Sequence, residues 1–250
     1  MTDPEIKEEI TKDWLLGEKV SLRQYAKGYR AGLDAVLLAA SLETKPGQSV
    51  LEAGCGAGAA MMCAAQRLGD ISLTGIERDP RMLALAEQNV AENGVSHRVQ
   101  VRAGDVSDRL DSLLNGFDQV YANPPFFDPK AIQAVGAGKE GAYLADVPLE
   151  AWLKFMLHCV KPRGRITMIH RAAALADILS FLQPRFGEIS VLPVRAYAGA
   201  PAKRVLVRAR KGLRKGDTVL YDGLTLYDGA ERQLTQRADA IMRGGALEWK

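Results

Sequence analysis

The chain has 250 residues, 47% of them apolar and 25% charged, with a formal net charge of +3. That is the composition of a globular protein able to bury a sizeable core, as one α/β domain or as one domain with a small appendage. The charge balance is too even to point to nucleic acid by itself. Three cysteines without a CxxC pair exclude a disulfide framework or zinc knuckle and suit reduced cytoplasmic thiols, and no run approaches the ~18 apolar residues of a membrane span.

Residues 1–12 are polar, lack the apolar run of a signal peptide, and read as a mobile arm or short helix. Residues 13–30 are mixed, with Trp14, Leu15 and Leu16 expected to pack on the domain. An apolar run around Asp34 predicts a helix over 31–42, ended by Pro46-Gly47. Strand and helix signals then alternate. Strands are predicted over 48–53, 71–77, 98–103, 117–122, 164–170, 189–195 and 203–209, and helices over 58–68, 80–93, 148–160 and 172–183. Asp79-Pro80 supplies an N-cap and first-turn proline, and Asn93-Gly94 a helix end. Such alternation implies βαβ units and a mostly parallel sheet. Ala198-Gly199-Ala200-Pro201 joins the last two strands without a helix, which implies an antiparallel pair. Residues 127–147, with Gly136, Gly138 and Gly141, show no period and read as a substrate-contacting lid. After residue 212, Tyr221-Asp222-Gly223 and Tyr227-Asp228-Gly229 signal turns and a small hairpin before a helix at 232–243.

Three positions in this frame carry chemistry. The strand Val50-Leu51-Glu52-Ala53 runs into Gly54, Gly56 and Gly58, which let a backbone turn sharply and approach a ligand closely. With Ala59 the loop also satisfies G-x-G-x-x-A, so alone it is compatible with a dinucleotide site or a plain structural turn. Glu77 ends the next strand and can accept both ribose hydroxyls of S-adenosylmethionine (SAM) or NAD. Asp105 can accept from an adenine amino group or cap the turn after it. Glu52 separates the two cofactors: an anion there can orient the ammonium of SAM but would repel a pyrophosphate.

The third position is Asn123-Pro124-Pro125-Phe126, after the strand Phe117 to Ala122. An exocyclic amine on a base is a poor nucleophile because its lone pair is delocalised into the ring. The Asn123 side-chain oxygen and the Pro124 carbonyl can accept its hydrogens and favour a pyramidal nitrogen. The two prolines lock φ and remove competing donors, and Phe126 offers a face for stacking. The alternative is a rigid turn with an asparagine cap. Together with the glycine loop, the motif points to a SAM-dependent methyltransferase acting on an NH2 group, by positioning and electrostatics.

These segments resemble the class I SAM-dependent methyltransferases and, within them, the bacterial tRNA adenine N6-methyltransferases that modify the adenosine 3′ of the anticodon in a valine tRNA. The resemblance runs from about Trp14 to Lys211. It includes Leu22-Arg23-Gln24, Gly28-Tyr29-Arg30, Asp34-Ala35, Glu52 to Gly58, Glu77, Asp105, Asn123 to Phe126, and Ala200 to Arg208. It implies an α/β, Rossmann-like seven-stranded sheet, mostly parallel with the last strand antiparallel and helices on both faces. Residues 1–30 would be an N-terminal arm and cofactor-covering segment, 31–211 the methyltransferase domain and 212–250 a small C-terminal appendage. The implied cofactor is SAM, leaving as S-adenosylhomocysteine, with no metal. Its implied contacts are Tyr29, Arg30, Glu52, Gly54, Gly56, Gly58, Glu77, Arg78, Asp105, Val106 and Asn123. The implied reaction is methylation of adenosine N6 in tRNA, in the cytoplasm. Many relatives carry tyrosine after the two prolines; Phe126 keeps the stacking and loses the hydroxyl. The motif also resembles guanine-N2 rRNA methyltransferases and enzymes that methylate a glutamine amide in release factors. A silent RNA-binding module that retains SAM is a reading from another class.

From Arg195 to Lys215 there are eight Lys or Arg and no Asp or Glu. Such a run can track RNA phosphates or guard an edge strand against aggregation. Lys203, Arg204 and Arg208 are the expected RNA contacts, with Phe126 and Phe127 at the base, and Arg163 and Arg165 could extend the patch. His170, at a strand end, is a further candidate. No pair of residues has metal-ligand spacing.

Overall fold

The structure, a computed structural model, describes residues 9–28, 30–125, 147–213, 216–229 and 231–250. Its first element departs from the expected arm or helix. Ile10–Leu15 (β1) and Val20–Tyr25 (β2) form an antiparallel hairpin with Ile10 opposite Tyr25. β1 alternates exposed and half-buried residues, the period of a ribbon covered on one side. Its outward face carries Trp14, which is 55% exposed rather than packed on the domain, with the Lys12 ammonium over its ring. The buried anchors of the hairpin are Leu16, Val20 and Leu22.

The alternation that follows is close to the sequence expectation. Leu33–Ala40 (α1), Gln48–Ala53 (β3), Ala59–Arg67 (α2), Ile71–Glu77 (β4), Pro80–Glu92 (α3), Val99–Ala103 (β5) and Phe117–Ala122 (β6) come first. Leu149–Cys159 (α4), Val160–Arg171 (β7), Leu175–Leu182 (α5), Phe186–Arg195 (β8) and Arg204–Lys211 (β9) come next. Asp79 caps α3 by accepting from the Arg81 amide, with Pro80 in the first turn, and Gly94 follows the helix at φ 67°.

The sheet runs β8-β9-β7-β6-β3-β4-β5 through these strands. β5, β4, β3, β6 and β7 are parallel, and β9 is antiparallel to both β7 and β8. The last strand thus slots between its neighbours, and the class I methyltransferase topology implied by the sequence is present. Val219–Leu220 (β10) and Leu224–Thr225 (β11) add short parallel pairs along the outer edge of β8. Tyr227–Asp228 (β12) and Gln233–Leu234 (β13) make the small hairpin, and Gln236–Met242 (α6) follows. The segment after residue 212 is tied to the domain: the Leu247 amide donates to Ala40 O at 2.8 Å and the buried Trp249 indole to Ser41 O at 3.0 Å.

Side-chain alternation divides the core between two faces. Val50, Leu73, Tyr121 and Leu206 join α1 and α2 on one face. Leu51, Ile76, Val120 and Val207 join α4 and α5 on the other. Each fully buried aliphatic contributes on the order of 1.5–3 kcal/mol, so two packed faces make the middle strands a rigid platform.

The N-terminal hairpin is fastened to this platform by two asparagines four residues apart, Asn89 on α3 and Asn93 capping its end. Asn89, fully buried, accepts from the Arg23 amide at 2.7 Å and donates to Arg23 O at 2.9 Å. Asn93 does the same with Ser21, at 3.0 and 2.8 Å. Their amides stand in for the strand that β2 lacks on that side. Asn89 also donates to Ala57 O at 2.8 Å, tying the hairpin to the glycine loop.

Candidate active site

β3 lies between β4 and β6, so the chain leaves it towards one side and returns on the other. In a parallel sheet that arrangement opens a crevice beyond the strand ends. A cavity of about 380 Å³ sits there, bringing Glu52, Gly54, Gly56, Gly58's neighbour Ala59, Glu77 and the Asn123-Pro124-Pro125 turn together.

The three glycines have φ of 65°, 55° and 85° at Gly54, Gly56 and Gly58, a region L side chains rarely adopt. Two of them have different steric reasons. A Cβ on Gly54 would lie 2.3 Å from Trp152 Cη2, because the indole of α4 packs against the loop there. A Cβ on Gly56 would meet nothing within 4 Å, so that residue faces open space in the cavity. Its amide donates to Glu77 Oε2 at 2.8 Å. Glu77 Oε1 accepts from the amides of Arg78 and Asp79 at 2.9 and 2.8 Å. Three main-chain donors therefore aim this carboxylate, leaving lone pairs for a ligand.

Glu52 lies deeper, 3% exposed, and accepts from the Tyr121 hydroxyl at 3.0 Å. Burial, against the Tyr121 hydrogen bond and with the nearby Glu77 charge, pushes its carboxyl up to about 8. Burial also raises the Cys55 and Cys63 thiols, Cys63 to about 12, so neither is a thiolate nucleophile at neutral pH. Among the described residues no cluster of His, Cys, Asp and Glu could hold a metal ion.

Arg78 and Val106, implied by the resemblance as cofactor contacts, line the cavity. Asp105 is outside the lining. Its Oδ1 accepts from the Ser107 amide and hydroxyl, both at 2.8 Å, and its Oδ2 pairs with Arg78 at 3.3 Å. Burial alone would raise this carboxyl, but those Ser107 and Arg78 contacts hold it below its ordinary value. Its visible work is to close a turn and hold Arg78. Arg30 is also outside: it pairs with Asp13 at 2.7 Å and lines a second concavity of about 420 Å³ with Asp34, Lys203 and Arg204. Tyr29, Phe126, Phe127 and residues 127–146 of the expected lid lie outside the described residues.

Sequence reasoning missed Gln24, Tyr25, Val147 and Trp152, which line the same cavity. Gln24 joins its edges by accepting from the Ala31 amide at 2.9 Å and donating to Asp13 at 2.9 Å. The signal for Gln24 was its place in the Leu22-Arg23-Gln24 stretch; for Trp152 the helical pattern offered only a core aromatic.

The basic strand is divided by its direction. β9 runs antiparallel to β7, with Arg204 opposite Arg171 and Arg210 opposite Arg165. Lys203 and Arg204 thus lie at the strand-end edge shared with Asn123, and Arg208 lies four residues away, roughly 13 Å along the strand. Arg208 stands 3.0 Å from Glu43 in ionic contact and 4.3 Å above the Trp249 ring. It is engaged within the chain, away from the cavity. His170 is buried, and burial together with Arg171 pushes its imidazole down to about 4, so it is neutral at physiological pH.

A family model of the methyltransferase small domain matches residues 31–138. Three similar relatives are tRNA1(Val) (adenine(37)-N6)-methyltransferases. That of Yersinia enterocolitica is 32% identical over 71% of this chain and 72% of its own length. That of Actinobacillus succinogenes is 28% identical over 81% and 84%, and that of Haemophilus influenzae 26% over 86% and 90%. Among solved structures, one described as a predicted O-methyltransferase from Agrobacterium tumefaciens superposes with a TM-score of 0.71 at 26% identity, covering 86% of this chain and 98% of that one. The methyltransferase subunit of a type I restriction-modification system from Streptococcus thermophilus shares the fold at a TM-score of 0.57 and 16% identity, over 88% of this chain and 54% of that one.

Proposed function

We propose that this chain, which belongs to the family of the tRNA1(Val) (adenine(37)-N6)-methyltransferases, moves a methyl group from SAM to the exocyclic N6 amine of an adenosine in tRNA. The observation that carries the reading is one cavity holding both an open glycine loop with two carboxyl groups and the Asn123-Pro124 acceptor pair. The donor set fits SAM: carboxylate oxygens for the ribose hydroxyls and an ammonium, free space over Gly56, and an amine clamp beside them.

SAM, when bound, supplies an electrophilic methyl on sulfonium. Glu77 accepts from the ribose hydroxyls, Glu52 takes the ammonium, and Gly54, Gly56 and Gly58 let the backbone approach the methionine half. Arg78 and Val106 flank the adenosine half, with Asp105 acting through Arg78. Asn123 Oδ1 and Pro124 O accept the two amine hydrogens and keep the nitrogen lone pair directed at the methyl group, and Phe126 stacks on the ring. Holding reactants in this geometry is itself a large part of the acceleration. Lys203 and Arg204, at the same edge, meet RNA phosphates, and Phe127 adds to the base contacts. A tRNA substrate makes the cytoplasm the place of action.

The test is methyl transfer from labelled SAM to unmodified bulk tRNA, with nucleoside analysis of the product. N6-methyladenosine is the expected product. N2-methylguanosine, or no transfer from a protein that binds the cofactor, would redirect the reading to another amine.

A further inference from the structure

The carboxyl of Glu52 is buried beside another acid, and the Tyr121 hydroxyl that donates to it comes from the strand that carries the amine clamp. We propose that Tyr121 is a positioning residue for the methionine half of the cofactor, holding Glu52 so that this carboxyl takes an ammonium in exchange for its proton. The inference rests on reading the cavity as a SAM site.

The geometry is specific. β3 and β6 are parallel neighbours, and Glu52 and Tyr121 are direct partners in their register. Both side chains point to the α1 and α2 face, where Tyr121 is fully buried and Glu52 reaches the cavity. Tyr121 is two residues before Asn123, so one rigid strand sets both the ammonium seat and the acceptor for the target amine. Phenylalanine would fill the same core space without the hydroxyl; tyrosine there supplies a donor that Glu52 receives.

The groups that bear on Glu52 come from each element packed around it. β6 offers Tyr121, whose hydroxyl is kept protonated by burial and by Glu52 itself. β4 offers Glu77, a like charge; α2 offers the Met61 amide as a donor and the neutral Cys63 thiol; the loop offers the neutral Cys55 thiol. α1 turns apolar residues inward, and its Asp34 is paired with Arg204 at 2.9 Å. The charge acting on Glu52 is thus negative. A buried acid beside a like charge stays protonated, which matches a carboxyl pushed up to about 8. A ligand ammonium reverses that balance. The carboxylic acid gives its proton to solvent, the carboxylate pairs with the ammonium, and the Tyr121 O–H donates to the new anion. Charge is conserved: one cation enters and one proton leaves.

The experiment is calorimetric titration of the full chain with S-adenosylhomocysteine, against 5′-methylthioadenosine, which keeps the nucleoside and lacks the amino acid. Titrations in two buffers of different ionisation enthalpy at pH 7 count the protons. Release of about one proton is expected for S-adenosylhomocysteine and none for methylthioadenosine. The dissociation constant of S-adenosylhomocysteine should tighten by about tenfold per pH unit between pH 6 and 8 and then level off, with methylthioadenosine flat. Tyr121→Phe should move that levelling upward in pH and weaken S-adenosylhomocysteine several-fold at pH 7, without change for methylthioadenosine. Glu52→Gln should abolish the proton release. Wild-type binding without proton release, release that survives Glu52→Gln, or equal weakening of both ligands by Tyr121→Phe would overturn the proposal. Failure of both ligands to bind at any pH would overturn the SAM reading itself, and the proposal with it.

Discussion

Along the sheet, the parallel strands β3, β4 and β6 and the antiparallel trio β7, β8 and β9 treat charge in different ways. At the ends of the parallel strands, Glu52 and Glu77 face a cavity, held by amides and a tyrosine hydroxyl rather than by cations. In the antiparallel part, charge is met within the chain. Arg165 and Arg208 both reach Glu43, at 3.1 and 3.0 Å. Arg210 stands 3.3 Å from Glu188, and Lys211 donates to the carbonyls of Leu157 and Val160 at 2.6 and 2.8 Å. A dense run of like charge in the sequence is therefore a poor guide to a binding surface. A few buried acids held by specific donors are a better one, because a buried carboxyl without a cation persists only where hydrogen bonds satisfy it or it keeps its proton.

The largest effect should come from the cavity side. Asn123→Ala removes one acceptor of the amine clamp and is expected to lower kcat by about 10³-fold, with S-adenosylhomocysteine affinity nearly unchanged. Normal turnover in that variant, measured with labelled SAM, would break the division of labour between cavity and clamp.

Two glycine substitutions sharpen it further. Gly54→Ala combines φ 65° with a Cβ 2.3 Å from Trp152, and should destabilise by roughly 3 kcal/mol in denaturant unfolding. Trp152→Leu added to it should restore part of that loss. Gly56→Ala meets no atom within 4 Å and should lose only about 1 kcal/mol from its backbone conformation, while weakening cofactor binding because the new methyl enters the cavity. Equal stability losses for the two would contradict the packing described for Trp152.

Glu52 makes stability depend on pH. Its folded carboxyl is raised from 4.5 to about 8. The stability it contributes is complete below 4.5 and is lost as pH rises through about 8. The melting temperature of the ligand-free protein should therefore fall between pH 5 and 9 more steeply in wild type than in Glu52→Gln. Parallel slopes would mean that the carboxyl is ionised in the free protein.

The smallest effects test the basic strand. Arg208→Ala should lose about 1 kcal/mol of stability with its Trp249 and Glu43 contacts, and leave the KM for tRNA unchanged. Lys203→Ala should leave stability alone and lower the salt slope of tRNA binding by about 1. A reversed pattern would show RNA following the strand along its length.

Most of the frame was legible because its causes are local. Short strand-like runs alternating with helical ones predicted β3, β4 and β6, Asp79-Pro80 and Asn93-Gly94 predicted the ends of α3, and the missing helix between β8 and β9 predicted their antiparallel pairing. The hairpin β1–β2 was not legible. Its outer face is mixed in polarity, and its docking depends on the Asn89 and Asn93 amides, which in sequence look like ordinary polar helix positions. Asp105 had two readings from its place after a strand, and the Ser107 and Arg78 contacts favour the turn. Arg30 and Arg208 stood in stretches that looked like site and surface, and their partners, Asp13 and Glu43, are far from them in the chain.

By itself the sequence determined the strand–helix alternation, the positive-φ glycines and the rigid Asn-Pro-Pro turn, since each follows from the backbone preferences and side-chain chemistry of residues within a few positions of one another. Only the tertiary structure decided which charges face the cavity. The register of β3 on β6 put Tyr121 against Glu52, α4 laid Trp152 over Gly54, and β9's reversed direction carried Arg208 away from the strand ends. Those are outcomes of pairing and packing between distant segments, where a shift of one residue turns a side chain to the opposite face.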